Sequence, residues 1–177
     1  MPLMRYFAFG AAALMALANL AAPAVHARAN APKPTLVQQH NAWELYTYDG
    51  QNGKVCFILS RPTRLEPTER DHGDVFFFIT ARPQDRVVNE ASVIVGYTFM
   101  DNSNVVVDID GQKFVMFVDR DGAWIENAGD EDKLVAAMRS GRSMVVTGKS
   151  SRGTDTRYTF SLAGVTASTN QMREVCR

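Results

Sequence analysis

The 177-residue chain holds only two cysteines and three histidines, and it carries no excess of either charge, with 19 Lys and Arg against 19 Asp and Glu. Each scarcity excludes something. Balanced charge supplies no basic field for a polyanion, so no nucleic acid partner is expected. A tetrahedral zinc centre needs four nitrogen or sulfur ligands, which His72 and a cysteine pair cannot provide once His26 and His40 fall outside the folded body. Gly-x-Ser-x-Gly, the strand-to-helix elbow of a serine nucleophile, does not occur. Gly148-Lys149-Ser150 lacks the upstream glycine of a phosphate loop, because position 143 is Ser, and a strand pattern follows where such a loop opens a helix. Asp119-x-Asp121-Gly122 is no calcium loop either: its glycine comes at the fourth position, and Asp130 stands where a bidentate Glu is needed. No catalytic, cofactor or metal site is therefore assigned, and no cofactor is expected.

Long apolar runs are also scarce. Phe7 to Ala22 is apolar except for Asn19, rich in weakly hydrophobic Ala, and shorter than the roughly 20 residues that cross a bilayer. Arg5 and the chain's amino group precede it, and the small residues Val25, Ala27 and Ala29 follow it. This is the layout of a secretory signal peptide over residues 1–29, cleaved after Ala27 or Ala29. The leader contains no Cys for lipid attachment, so no integral or acyl membrane anchor is expected. Removing it through Ala29 takes away Arg5 and Arg28 and no acid, leaving 19 − 2 = 17 basic residues against 19 acidic ones, a net charge of about −2. The mature protein is expected in the periplasm, on the outer envelope or secreted. Residues 30–41, with Pro32 and Pro34, show no period and read as an extended tether. Residues 42–177 are then one domain.

That domain has the period of strands. Trp43–Tyr48, Val55–Ser60, Val75–Thr80 and Ala91–Tyr97 are rich in aromatic and β-branched residues and are bounded by Gly, Pro, Asp or Asn. Val105–Ile109 and Lys113–Val118 flank Asp110-Gly111, a pair that tolerates the positive φ of a tight hairpin. Asp49-Gly50 and Asp121-Gly122 repeat the cue. Met144–Thr147 and Arg157–Leu162 follow, the latter with Tyr158, Phe160 and Leu162 on one face and Thr159 and Ser161 on the other. A short helix is expected over Asp130–Ser140, with acids in its first turn, Arg139 in its last and Leu134, Ala137 and Met138 on one side. A C-terminal helix is expected over Val165–Cys176, where Val165, Thr169, Met172 and Cys176 share a face. The fold class is mainly β, an antiparallel β-sandwich or partly closed barrel with these two helices.

Two and only two cysteines in an exported domain imply a disulfide, Cys56 to Cys176; a redox pair would stand as Cys-x-x-Cys. The third histidine, His72, sits in Glu69-Arg70-Asp71-His72-Gly73-Asp74, which reads as a solvated connection. A hydrolase would have to be built around it with Arg70, Asp71 or Asp74 in a concave pocket. Ser150 to Thr156 is a polar hairpin whose backbone donors and Arg152 offer contacts to an anionic group. Ser151, Arg152, Thr154 and His72 are the candidate surface contacts.

Val55-Cys56-Phe57-Ile58, Gly96-Tyr97 with Phe99, and Asp121-Gly122-Ala123-Trp124 carry a family resemblance, extended by Leu134 to Met138, Gly141 to Thr154, Phe160 to Gly164 and Cys176. In order and type they resemble the invasion-associated locus B family of exported, chiefly alphaproteobacterial proteins. Tyr158 departs from the acid more often found there. The resemblance implies a periplasmic or envelope-associated β domain, linked in pathogenic members to host-cell entry, and carries over no catalytic site. With no chemistry specified by its residues, the chain reads as a non-enzymatic envelope protein that binds another protein or a surface component; the alternative is a small periplasmic hydrolase or ligand-binding enzyme centred on His72.

Overall fold

The structure, a computed structural model, describes residues 32–177. The expected leader and the first residues of the tether lie outside the described residues. Eleven strands are present among those described: β1 (Thr35–His40), β2 (Trp43–Gly50), β3 (Gly53–Ser60), β4 (Arg64–Glu66), β5 (Phe76–Arg82), β6 (Val87–Ile94), β7 (Asn104–Ile109), β8 (Gln112–Asp119), β9 (Gly122–Trp124), β10 (Ser143–Lys149) and β11 (Asp155–Ser161). They form one antiparallel sheet, in the order β1-β2-β3-β5-β6-β9-β8-β7-β10-β11-β4. Two helices, α1 (Ala128–Ser140) and α2 (Val165–Val175), complete the domain.

The expected sandwich or partly closed barrel takes the form of a single sheet that is not closed. It nevertheless curls onto itself. β3 and β4 lie far apart in strand order yet are joined by three residues, 61–63. Near the two ends, the Trp43 indole Nε1–H of β2 donates to the Ser161 carbonyl after a long path around the sheet, at 3.0 Å. Phe77 of β5 meets Phe160 of β11 edge to face, with ring centroids 5.9 Å apart. Curling gives one shared interior that holds Trp43, Leu45, Ile58, Ile79, Met116 and Phe160, all fully buried. Each such side chain contributes roughly 1.5–3 kcal/mol by leaving water.

Alternation places these residues. On β8, Phe114 and Met116 are buried while Val115 and Phe117 face solvent. The β7–β8 hairpin turns on Asp110 and Gly111, both at positive φ (52° and 89°), as the sequence pair predicts. The other two cues are displaced. Asp49 and Gly50 still belong to β2, pairing with Lys54 and Gly53, so Gln51 and Asn52 make that turn. Asp119 pairs with Gly122, which puts the second turn at Arg120 and Asp121, with Arg120 at φ 54°.

The tether expectation is also corrected in part. Thr35–His40 forms β1, an edge strand on β2. The three-residue strands β4 and β9 were not expected, and the strand expected over Ala91–Tyr97 runs instead over Val87–Ile94.

Helix α1 begins two residues earlier than expected and buries Leu134, Val135, Ala137 and Met138. Gly141 ends it in extended backbone; a Cβ there would meet Ile109 Cγ2 at 2.7 Å, so close approach to β7 is what requires glycine. Helix α2 buries Val165, Thr169 and Met172 on one face. A disulfide joins Cys176, just beyond α2, to Cys56 on β3 across 120 residues of sequence. In the chain-entropy account, closing a loop of that length stabilises the fold by about 4–5 kcal/mol.

Candidate functional site

At one end of the sheet, three connections meet: residues 67–75 after β4, 95–103 after β6, and 150–154 between β10 and β11. Backbone bonds hold them together. The Gly96 N–H donates to the His72 carbonyl at 3.1 Å, the Ser151 N–H to the Thr98 carbonyl at 2.8 Å, and the Met100 N–H to the Lys149 carbonyl at 2.9 Å. Gly73 lies at φ 58°, and a Cβ on Gly96 would sit 2.6 Å from Gly73 Cα and from the His72 oxygen. Two glycines therefore let the histidine loop lie directly on the strand exit of β6.

This packing corrects the solvated reading of the charged loop at one residue. Arg70, Asp71, Gly73 and Asp74 are exposed, but His72 is only 6% exposed. Its ring is bonded at both nitrogens, with Nε2 3.0 Å from the Pro67 carbonyl oxygen and Nδ1 2.9 Å from the Tyr158 hydroxyl. A carbonyl can only accept, so Nε2 carries a proton and donates; the Tyr158 hydroxyl has one proton for its two contacts and donates to Tyr97 Oη or to Nδ1, not to both. The row of hydroxyls continues inward. Tyr158 Oη lies 3.0 Å from Tyr97 Oη, Tyr97 Oη lies 2.7 Å from Thr156 Oγ1, and Thr156 donates to the Gly148 carbonyl at 3.2 Å. Burial pushes the Tyr158 hydroxyl far above the ordinary tyrosine range, and its contact with Tyr97 adds to the rise. Burial raises Tyr97 as well. Neither phenol is poised to lose a proton near neutral pH.

Above this floor lies a cavity of about 270 Å³, lined by His72, Ser151, Arg152 and Thr154 together with Arg70, Asp71 and Thr98. All four candidate surface contacts therefore converge. Asp74, the remaining partner considered for a hydrolase, is not part of the lining. Among the described residues no Ser, Thr or Cys bonds to either His72 nitrogen, and Ser150 Oγ accepts the Thr154 N–H at 3.1 Å.

The expectation that the Ser150–Thr156 backbone would supply donors is corrected in part. The N–H groups of Ser150, Ser151, Gly153 and Thr154 are all spent inside the loop or on Thr98. Of the backbone N–H groups of residues 150–154, only that of Arg152 is without a partner among the hydrogen bonds of the described residues, so most donors for a ligand come from side chains. The sequence also gave no sign that Tyr97, Thr98, Thr156 and Tyr158 would join the site; the only available signal was Tyr158, marked as a departure from the family pattern.

A larger open groove of about 660 Å³ lies beside β10 and β11, and its charges are mutually paired: Lys149 with Asp155, and Arg157 with Glu66. Among the described residues no group of three His, Cys, Asp or Glu side chains could hold a metal ion, and no helix is long and apolar enough to cross a membrane.

The model of the Invasion associated locus B (IalB) protein family matches residues 43–173. The fold is similar to the crystal structure of invasion associated protein B from Bartonella henselae, with a TM-score of 0.57 at 14% identity over 80% of this chain and 98% of the other. Comparison with curated proteins gives no match.

Proposed function

Because this chain belongs to the invasion associated locus B family, we propose that it is an exported, non-enzymatic binding protein of the cell envelope whose contact surface is the cavity over His72. The observation that carries this is the convergence of His72, Ser151, Arg152 and Thr154, from two distant stretches of sequence, around that single cavity. Its floor is a row of mutually contacting polar side chains that fixes shape, and its rim is polar and open to a partner. The disulfide suits an oxidising compartment, and the leader-like first 29 residues suit delivery there. The family's association with invasion comes to this chain as an envelope contact made outside the cytoplasm.

A hydrolase centred on His72 is the second reading, favoured by Arg70 and Asp71 sharing its cavity. It is weakened by the commitment of both ring nitrogens to protein partners.

The test is cross-linking in intact envelope fractions from a cysteine placed at Ser151, with and without Arg152→Glu. The proposal expects one reproducible adduct that Arg152→Glu abolishes. An adduct indifferent to that change, or none, would refute the assigned surface. Mass spectrometry of the native protein tests export directly: the proposal requires a chain starting at Arg28 or Asn30 with both thiol protons lost.

A further inference from the structure

Within this cavity the hydrogen-bonding capacity is strongly unbalanced. The floor is engaged: the polar atoms of His72, Tyr158, Tyr97 and Thr156 contact one another and backbone carbonyls. The wall is not. Arg70 and Arg152 enter no ion pair among the described residues, a state they share with Arg86, Arg139, Arg142, Arg173 and Arg177, but of these only Arg70 and Arg152 line this cavity. The side-chain hydroxyls of Thr98, Ser151 and Thr154 likewise have no partner among the hydrogen bonds of the described residues. Two guanidiniums and three hydroxyls thus line one small space, and against them stands a single carboxylate, Asp71. One Asp71 oxygen accepts the Gly73 N–H at 2.9 Å, which leaves the other free to accept.

Donors in that number exceed what a carboxylate's two oxygens engage and match the three terminal oxygens of a phosphoryl group, which guanidiniums grip in pairs. Asp71 has the opposite requirement. Beside a phosphate it repels unless the ligand offers it a hydroxyl or an ammonium to accept from. The space, about 270 Å³, holds roughly nine waters at about 30 Å³ each, enough for a headgroup and too little for a folded segment of a partner.

Resting on the binding role assigned to this cavity, we infer that it takes a phosphate ester carried on a hydroxyl-bearing group, such as a phosphorylated sugar, with Arg70 and Arg152 on the phosphate and Asp71 on a neighbouring hydroxyl. The same chemistry recognises a free phosphorylated sugar and the exposed headgroup of a glycolipid.

The test is titration of the disulfide-bonded protein with glucose 1-phosphate, inorganic phosphate and glucose, followed by amide NMR shifts and calorimetry, with vesicles bearing a phosphorylated glycolipid as a further arm. Glucose 1-phosphate is expected to move amides in 70–72 and 150–156 and to bind at least tenfold more tightly than inorganic phosphate or glucose. Arg70→Gln and Arg152→Gln should each weaken it about tenfold, in line with loss of a charge-assisted pair. Asp71→Asn should narrow the gap between glucose 1-phosphate and inorganic phosphate. Vesicle binding that free glucose 1-phosphate competes away assigns the glycolipid source; its absence assigns the free ester. All three side chains are exposed, so unchanged thermal unfolding serves as the folding control. No shift at millimolar glucose 1-phosphate, or binding that survives both arginine changes, overturns the inference. Should the Ser151 cross-link still depend on Arg152 in that case, the binding role stands and only the ligand class falls.

Discussion

Replacing Tyr158 by Phe removes one oxygen and almost no volume, so it isolates what the buried hydroxyl contributes. Tyr158 is 1% exposed, and its hydroxyl contacts His72 Nδ1 at 2.9 Å and Tyr97 Oη at 3.0 Å. Tyr97 keeps Thr156 as a partner after the change. His72 does not: among the described residues Nδ1 has no other partner. A buried polar group left without its partner costs about 1–3 kcal/mol, so Tyr158→Phe is expected to lose about 2 kcal/mol. For a domain of this size that corresponds to a fall of roughly 4–8 °C in Tm. Urea unfolding should show a lower midpoint with an unchanged slope, because the folded state remains equally compact. The internal comparison is Tyr97→Phe: the residue is only half-buried and removal of its hydroxyl leaves Thr156 bonded to the Gly148 carbonyl, so it should cost about 0.5–1 kcal/mol. A Tyr158→Phe midpoint within about 0.5 kcal/mol of the parent, or a cost no greater than that of Tyr97→Phe, would refute the reading of His72 as a residue held by its floor.

Alkaline pH acts on the same group: the folded Tyr158 hydroxyl titrates above its ordinary value of 10.0, so its stabilisation is present below pH 10 and is lost as the unfolded chain ionises above it. Urea midpoints measured upward from pH 10 should fall less steeply in Tyr158→Phe, by about 1.4 kcal/mol per pH unit, and equal slopes would contradict the burial of a neutral phenol. Removing the disulfide as Cys56→Ser with Cys176→Ser should cost about 4–5 kcal/mol for its 120-residue separation, read as a lower urea midpoint; an unchanged midpoint would show that the two ends are not constrained by it. Gly96→Ala places a methyl 2.6 Å from two backbone atoms of the histidine loop, so it should cost about 1–3 kcal/mol and shift the NMR signals of His72 and Ser151 together; a silent Gly96→Ala would mean the loop does not rest on β6's exit.

How much of this was legible in the sequence follows from what each element buries. β8 and β11 alternate cleanly because one face meets the interior and the other meets water, and α1 and α2 show their buried stripes for the same reason. β1 gave no signal because an edge strand that buries almost nothing has no pattern to show: every residue from Thr35 to Gln39 is exposed. β4 and β9 are three residues each, too short to display a period of two. β3 reads as a continuous apolar run because both of its faces are covered, Cys56 and Ile58 by the interior and Phe57 by the rings of Tyr46, Tyr48 and Phe78. The site was half legible in a particular way. Polar residue type singled out Ser151, Arg152, Thr154 and His72, but charge in the neighbouring residues made His72 look solvated. Its burial depends on Gly73 and Gly96 touching across 23 positions and on Tyr158 reaching from another strand, and no local window contains such long-range contacts. A histidine flanked by Arg, Asp and Gly is therefore better judged by which glycines allow its loop to sink than by the polarity of the loop itself.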